Sequence, residues 1–299
     1  MTQNKIPAFI LSLNPEADLL KQWDFGFLKA FLTGDLWQTA NWSGFDIKSV
    51  NTLPKTVTGL VAIPARHHKG LEKEINAELQ NIDKVVLFLM GDEEADFDVS
   101  VIEHPAIQIW VQNPHIGKHD AYNKIGTGFP EHYKNLLDNT AKPVKDIDIF
   151  FAGQITHERR VNLVDALLSL GNTYTQEVIR TTGFTQGESH DIYANKMSRA
   201  KVTPCPSGAV IPDSFRLFES LEAMTIPVAD QKTPEGIVSE YWDWLFGEIT
   251  PFPKVNDFNA MAGFLPDVFD NYAELQHKIV AWYIKYKRNF AYKVMEGFK

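Results

Sequence analysis

Apolar residues along the chain fall into short continuous runs that alternate with amphipathic segments. Four of the runs in the first half predict β-strands, at 6–13, 57–63, 84–90 and 106–111. Amphipathic stretches near 19–32 and 71–79 predict helices between them. Uninterrupted apolar strands separated by helices are typical of parallel sheets that are covered on both faces. The first half is therefore predicted to be an α/β layer.

The same alternation starts again after a polar stretch at 135–146, which loses its periodicity and contains Pro143. Beyond that stretch, apolar runs predict strands at 147–152, 177–181, 201–203 and 226–229. Helices are predicted at 157–170, at 189–198 and from about 213. The pattern predicts domains at 1–143 and 144–272, followed by a terminal helix at 273–299 that packs back on the first domain.

Composition agrees with an ordinary globular protein that is long enough for two domains. The chain has 299 residues, of which 44% are hydrophobic and 22% charged. No apolar run reaches the length of a membrane span, and the N-terminus does not resemble a signal peptide. A single cysteine, Cys205, excludes an internal disulfide. These features predict a cytoplasmic location.

Charge is distributed unevenly along the chain. The net charge of −9 argues against a large nucleic-acid-binding surface, which is normally basic. The last segment, 278–299, nevertheless has six basic residues against Glu296 alone. Its basic and aromatic helix is compatible with contact to an anionic membrane or to nucleic acid, but the favoured interpretation is an amphipathic helix that packs on the body with its lysines in solvent. The sequence leaves both interpretations open.

The segment 201–230 carries the strongest chemical signal. It predicts a strand, a loop rich in proline and glycine, a helix that opens at Asp213 or Ser214, and a second strand. Arg216 and Glu219 stand three residues apart, so they share one helix face near the positive N-terminal end. An arginine there can bind phosphate oxygens, and a carboxylate one turn on can accept hydrogen bonds from ribose hydroxyls. The alternative is an ordinary surface Arg–Glu pair.

Two segments resemble the exostosin-type glycosyltransferases. CPSG…DSFRLFESLEAMTIPV is similar to the donor-binding signature of that family, and DIDIFFAGQITHERRVNLVDALL is similar to its strand–Gly–Arg segment. The resemblance covers residues 146–230, whereas the first half matches only in general layout. Met224 stands where the family usually has glycine, which changes the turn before the last strand more than the chemistry.

The resemblance implies a GT-B type fold, with two tandem Rossmann-like α/β domains that face a cleft and a C-terminal helix that crosses back to the first domain. It also implies a nucleotide-sugar donor, with UDP-sugar favoured, and an inverting reaction without metal or cofactor. The donor-binding residues that it implies are Gly153, Arg159, Ser207, Gly208, Arg216 and Glu219. Arg160 adjoins Arg159, but adjacent helical residues point in different directions, and Arg159 is favoured. Glu222 lies one turn beyond Glu219, and the family pattern favours Glu219.

A glycosyl transfer also needs a base for the acceptor hydroxyl, which is expected at the carboxyl ends of the strands of the first domain. Three loops qualify, at 66–68, 91–94 and 113–115. The catalytic candidates are Asp92 and Glu93 first, with His68 or its neighbour His67 second. The acidic run at 92–98 is equally compatible with a solvated loop, or with a divalent-metal site that the family does not lead us to expect.

The sequence leaves the acceptor and the type of reaction open. A glycan or a lipid-linked sugar is the favoured acceptor because the chain is acidic, and a DNA base is the alternative that the basic terminal helix allows. The same fold is compatible with a sugar-nucleotide epimerase. It is also compatible with a non-catalytic module that binds nucleotide or carbohydrate. Analysis of the products formed without acceptor separates the enzymatic alternatives.

Overall fold

The computed structural model describes residues 5–14, 25–33, 38–39, 42–113, 121–138, 143–183, 186–247 and 249–299. The chain divides into two compact units. The first unit comprises Met1–Glu131 and Tyr286–Lys299, and the second comprises His132–Lys285. A parallel β-sheet forms the centre of each unit.

Strands and helices alternate in the first unit. Its elements are β1 (Ile6–Leu11), α1 (Gly26–Thr33), β2 (Gln38–Thr39), β3 (Trp42–Ser43), β4 (Phe45–Val50), β5 (Thr56–Pro64), α2 (Glu72–Leu79), β6 (Ile82–Met90), β7 (Ile107–Val111) and β8 (Asn123–Lys124). Six of the strands form a sheet in the order β4-β1-β5-β6-β7-β8, and every neighbouring pair is parallel. β2 and β3 form a separate antiparallel pair.

The core of the first unit lies on the central strands β5 and β6. The last six residues of each strand are buried, because apolar side chains on both faces are covered. Burying one such side chain contributes about 1.5–3 kcal/mol, so the two strands supply much of the stability of the unit. This is the sheet that the uninterrupted apolar runs at 57–63 and 84–90 predict.

The elements of the second unit repeat this alternation. They are α3 (Glu131–Asp138), β9 (Ile147–Gln154), α4 (Glu158–Ser169), β10 (Gln176–Thr181), α5 (His190–Arg199), β11 (Ala200–Cys205), α6 (Phe215–Glu222), β12 (Ile226–Asp230), α7 (Tyr241–Phe246), β13 (Lys254–Val255), α8 (Met261–Asp270) and α9 (Tyr272–Glu296). The five strands form a parallel sheet in the order β10-β9-β11-β12-β13.

The terminal helix α9 belongs to both units. Its residues up to Lys285 lie in the second unit, and the remainder lies in the first. There the ring of Phe290 packs 4.5 Å from Phe31 and 4.7 Å from Trp110, measured between ring centroids. The prediction that the C-terminal helix returns to the first unit is thus confirmed. Within the described part of the chain, no helix combines the length and the apolar composition that crossing a membrane requires.

The two sheets share one topology. In each, the second strand in sequence lies outside the first, and the later strands continue on the opposite side. The strand order therefore reverses between β1 and β5 in the first unit and between β9 and β11 in the second. Open parallel sheets bind their ligands outside the carboxyl ends of the strands at such a reversal. The predicted α/β class with two Rossmann-like parallel sheets is confirmed, and each sheet has one such position, called here the switch point of its unit.

The structure differs from the sequence prediction mainly at the edges of the sheets. β4 has no apolar run: in this edge strand only Phe45 is buried, and the other five residues are half-buried or exposed. The stretch at 135–146, which loses its periodicity in the sequence and was predicted to contain the domain boundary, begins inside α3. The helix predicted at 19–32 is described only from Gly26 onward, since residues 15–24 lie outside the described part of the chain.

Candidate functional site

The switch point of the second unit brings together the ends of β9 and β11. β9 ends at Gln154 with Gly153 as its penultimate residue, and β11 ends at Cys205 before the loop that leads to α6. Carboxyl ends of parallel strands lie at the same edge of a sheet. The two sequence segments that resemble glycosyltransferase motifs therefore meet at one place in the fold.

Arg216 lies in the first turn of α6 and reaches the end of β9. Its Nη2 donates to the carbonyl of Ala152, and its guanidinium lies 4.8 Å from the centroid of the Phe151 ring. A Cβ at Gly153 would come within 2.5 Å of Nη2, so this approach depends on glycine. Nε is buried, and no described residue forms a hydrogen bond with it. Among the described residues, no carboxylate pairs with Arg216, so the guanidinium keeps binding capacity for an anion.

Glu219 lies one turn further on α6, and its side chain is buried at 7% exposure. The hydroxyl of Tyr193 on α5 donates to its Oε2 at 2.6 Å. Burial raises the pKa of this carboxyl, while the Tyr193 hydrogen bond and the Arg216 charge lower it. In the described part of the chain no group donates to Oε1. Glu222, the other acidic candidate on this helix, accepts a hydrogen bond from the hydroxyl of Tyr283.

Arg159 has a different partner from the phosphate that the resemblance implies. Its Nε donates to Asp230 Oδ2 at 2.7 Å, its Nη2 donates to Asp230 Oδ1, and Nη2 also donates to the carbonyl of Asn256 at 3.2 Å. Both side chains of this ion pair are buried, at 10% and 0% exposure. Because its donors are taken up inside the unit, Arg159 holds the end of β12 to α4.

Arg160 lies at the switch point instead. Its Nε and Nη2 donate to the carbonyl of Ser207 at 3.2 and 2.9 Å, and its Nη1 donates to the carbonyl of Gln154 at 3.1 Å. These bonds tie the ends of β9 and β11 together. Successive residues on a helix point about 100° apart, so either arginine was compatible with the sequence. The partner of each depends on residues that are distant in the chain.

The loop after β11 is closed by its own hydrogen bonds. The N–H of Ser207 donates to Asp230 Oδ2 at 3.3 Å, and the N–H of Gly208 donates to the carbonyl of Ile211 at 2.9 Å. A Cβ at Gly208 would overlap the carbonyl of Asp213, so only glycine fits this turn. The two amides that were expected to face a diphosphate are thus used inside the loop. The Ser207 hydroxyl is buried, and none of the described residues forms a hydrogen bond with it.

His157 is a site residue that the sequence analysis missed. Its Nε2 lies 3.2 Å from the Ser207 carbonyl, which only accepts hydrogen bonds, so the proton sits on Nε2. Burial, and then the charge of Arg160, lower the pKa of this imidazole, which favours its neutral form. Nδ1 is then an acceptor; it is buried, and it has no hydrogen-bond partner among the residues that the structure describes. Its position just after a strand that ends in glycine was the available signal.

The catalytic candidates of the first unit lie at the ends of two neighbouring strands. Asp92 follows β6 and is buried at 1% exposure, and its Oδ1 accepts from the N–H of Asp96 at 2.9 Å. Glu93 is half-buried, and its carbonyl accepts a hydrogen bond from the side-chain amide of Asn113. Asp92 thus combines burial with a carboxylate at the carboxyl edge of the sheet, whereas the acidic residues after it are more exposed.

His68 follows β5 and is completely buried. Its Nε2 accepts from the N–H of Leu13 at 2.9 Å, and its Nδ1 lies 3.0 Å from the carbonyl of Pro64, to which it donates. Both ring nitrogens are therefore engaged with the backbone, and His68 holds the ends of β1 and β5 together. Burial and the charge of Arg66 lower the pKa of the neighbouring His67. In the third candidate loop only Asn113 is described, and residues 114 and 115 lie outside.

Within the described residues, no group of three histidine, cysteine or acidic side chains is arranged to hold a metal ion. Cys205 is buried, and burial raises the pKa of its thiol to about 12, so it remains protonated. The chemistry at the second switch point is that of Arg216, Arg160, His157 and Glu219. These groups combine fixed positive charge with two hydrogen-bond acceptors.

No protein-family model matches the chain, and no curated protein sequence matches it significantly. Two solved structures with a similar course of the chain are crystal structures of an alpha1,3-fucosyltransferase, one of them with GDP. Each is 12% identical in sequence, and the match covers 96% of this chain and 92% of the other. The TM-scores are 0.49 and, with GDP, 0.45. Similarity at this level gives no basis for transferring an activity.

Proposed function

We propose that the protein is a glycosyltransferase and that its second unit binds the nucleoside diphosphate of a sugar donor. The observation that carries the proposal is Arg216. This guanidinium is fixed at the switch point over Gly153, and within the described residues it lacks a carboxylate partner. A fixed cation at the carboxyl edge of a parallel sheet, one turn from a carboxylate, suits a diphosphate joined to a ribose.

Three side chains have separate roles in the proposed donor site. Arg216 binds diphosphate oxygens and neutralises the charge that develops on the leaving group, because a cation that is already in place needs no rearrangement during the reaction. Glu219 accepts hydrogen bonds from ribose hydroxyls through Oε1. Arg160 fixes the carbonyls of Gln154 and Ser207 around the site.

In the transfer step, the acceptor hydroxyl oxygen bonds to the anomeric carbon as the bond from that carbon to the diphosphate breaks. The hydroxyl proton passes to a base, for which Asp92 is our first choice and Glu93 our second. The pair of electrons of the broken bond leaves with the nucleoside diphosphate. We propose inversion at the anomeric carbon, no metal, a UDP-sugar as the favoured donor, and a glycan or lipid-linked sugar as the acceptor. A modified nucleobase is the alternative acceptor.

Isothermal titration with UDP, GDP, CDP, ADP and dTDP tests the donor site. We expect one nucleotide to bind, and Arg216→Ala to weaken that binding about 30-fold or more, because truncating one partner of a hydrogen-bonded charge pair costs at least about 2 kcal/mol. Arg199→Ala is the matched control, since Arg199 lies in the same unit but forms an exposed pair with Asp146. Failure of all five nucleotides to bind the wild-type chain overturns the proposal.

Activity is tested separately from binding. The bound nucleotide identifies the donor class, and incubation with its common sugar conjugates and a glycan acceptor should release the free nucleoside diphosphate. Asp92→Asn should abolish release but leave nucleotide binding unchanged, because the donor site lies in the other unit. Release or isomerisation of the sugar without acceptor identifies a hydrolase or epimerase, and binding without any turnover identifies a non-catalytic module.

A further inference from the structure

A tyrosine of α5 is bonded to the acidic residue of the proposed donor site. The Tyr193 hydroxyl donates to Glu219 Oε2 at 2.6 Å, one of the shorter side-chain hydrogen bonds in the described part of the chain. The Tyr193 ring packs 5.5 Å from that of Phe150 on β9 and 6.2 Å from that of Tyr133 on α3, between centroids. These contacts fix the ring, so the position of its hydroxyl is set by the sheet and by α3.

The charged and titratable groups around Glu219 come from four elements. Arg216 lies one turn before it on α6, Tyr193 lies on α5, Tyr133 lies on α3, and Cys205 ends β11. Burial raises the pKa of both tyrosines well above the usual value, so both hydroxyls keep their protons at neutral pH. The Cys205 thiol is protonated as well. Glu222, one turn beyond Glu219 on α6, is a further acidic neighbour of Tyr133. Among the described residues, only Tyr193 donates directly to the Glu219 carboxylate.

We propose that Tyr193 is a positioning residue of the donor site, which orients the Glu219 carboxylate and keeps it ionised so that Oε1 can accept from the donor ribose. This inference rests on the proposed function. A carboxylate removed from water tends to bind a proton, and a hydrogen bond donated to the charged form opposes that tendency. The protonated carboxyl loses acceptor capacity, so the tyrosine controls both the direction and the ionisation of Glu219.

A second tyrosine provides a matched control. The hydroxyl of Tyr133 donates to the backbone carbonyl of Glu219 at 3.1 Å, and not to its carboxylate. Tyr133→Phe and Tyr193→Phe therefore each delete one buried hydroxyl bonded to the same residue. Only the second deletion removes a donor from the carboxylate. A merely structural role predicts similar behaviour of the two variants.

The experiment measures the dissociation constant of the nucleotide identified above between pH 5.5 and 9, for the wild type and both variants. We expect Tyr193→Phe to move the midpoint of the binding profile upward by roughly one to two pH units, because a hydrogen bond to a charged group is worth about that much. Relative to the wild type, binding by this variant should weaken as the pH falls and recover at high pH. The Tyr133→Phe profile should keep the wild-type midpoint.

The outcomes separate the two proposals. If the wild type binds nucleotide and the Tyr193→Phe midpoint is unchanged, or if Tyr133→Phe shifts it equally, the positioning role is overturned while the donor site stands. If no nucleotide binds the wild type at any pH, both fail. Glu219→Gln completes the set: its binding should lose the part of the pH dependence that comes from Glu219 and keep the part that comes from the phosphate of the nucleotide, and adding Tyr193→Phe to it should not move the remaining profile.

Discussion

The two switch points share a strand order but differ in chemistry. In the first unit the ends of β1 and β5 are joined by His68, whose ring nitrogens both bond to the backbone. In the second unit the ends of β9 and β11 are joined by Arg160. Arg216 lies beside them, and its buried Nε has no hydrogen-bond partner in the described part of the chain. In the first unit a histidine bonded to the backbone holds the strand ends together. In the second unit an arginine, Arg160, holds them together, and a second arginine, Arg216, lies beside it.

This difference shows what the topology does and does not supply. Strand order places loops at one edge of a sheet, and both units have that arrangement. Side chains then decide whether the edge attracts an anion. In the first unit Arg66, which follows β5, forms an ion pair with Glu94 at 3.5 Å. In the second unit, no carboxylate among the described residues pairs with Arg216. The fold alone would assign a ligand site to either unit. The side chains of Arg216 and Glu219 are what distinguish the second unit as the proposed donor site. The predictions below test that contrast.

The largest effect is expected at the ion pair under the second switch point. Asp230→Ala leaves Arg159 buried without its partner, and breaking such a pair costs about 3–5 kcal/mol of unfolding free energy. Ser207 also loses the acceptor of its N–H. Urea denaturation at pH 7 measures the loss. Asp146→Ala, which removes an exposed partner of Arg199 in the same unit, should change the stability much less. Equal losses would contradict a structural role of the buried pair.

His68 tests the first switch point. His68→Ala removes the acceptor of the Leu13 N–H and should cost about 1–3 kcal/mol of unfolding free energy, because a buried donor is left without its partner. Nucleotide affinity should not change, since the donor site lies in the other unit. Urea denaturation and titration calorimetry measure the two quantities. A variant that stays stable, binds nucleotide and loses turnover would instead identify His68 as the base.

The sequence predicted the central part of the fold better than its periphery. The strands β5 and β6 are continuous apolar runs because both their faces are covered, and such runs are visible without any structure. The edge strand β4 is mostly exposed or half-buried and contains no continuous apolar run. No local pattern in the sequence therefore indicated that it pairs with β1. Burial leaves a pattern in the sequence, whereas pairing at an edge does not.

The candidate site, like the fold, was predictable from the sequence only where its residues are close together in the chain. Arg216 and Glu219 belong to one helical turn, so their shared face follows from spacing alone. The partner of Arg159 lies 71 residues away at Asp230, and the partner of Glu219 lies 26 residues away at Tyr193. No local pattern chooses between Arg159 and Arg160 or points to Tyr193, because these contacts exist only after β9, β11 and β12 have assembled.

A substitution at Gly153 tests the position of Arg216, and we expect a smaller effect than for the two preceding variants. Gly153→Ala brings a Cβ against Arg216 Nη2, which is the end of a flexible side chain and can move. We therefore expect nucleotide affinity to fall about tenfold, or about 1.4 kcal/mol, with little change in stability. Gly263→Ala is the matched control, because its new Cβ meets no atom within 4 Å. Loss of stability without loss of affinity would show that Gly153 serves β9 and not the position of Arg216.

Lys145 is a buried lysine of the second unit, and we expect its protonation to change the stability of the protein with pH. Its Nζ donates to the Ala223 carbonyl at 2.9 Å and to Thr225 Oγ1 at 2.8 Å, and burial lowers its pKa from 10.5 to about 7. Between pH 7 and 10.5 the unfolded chain therefore binds a proton at Lys145 that the folded chain lacks. Unfolding free energy should rise with pH in that window, by at most about 1.4 kcal/mol per pH unit.

The measurement compares urea denaturation of the wild type and Lys145→Met at pH 7.5, 8.25 and 9. Other groups titrate equally in both proteins, so the difference between the two curves isolates Lys145. We expect the wild type to gain stability relative to the variant as the pH rises, because its neutral amine is the form that the folded chain accommodates. Parallel curves would mean that Lys145 keeps its proton when folded. Nucleotide binding should show no component from Lys145, since the charge that we assign to the donor site is that of Arg216.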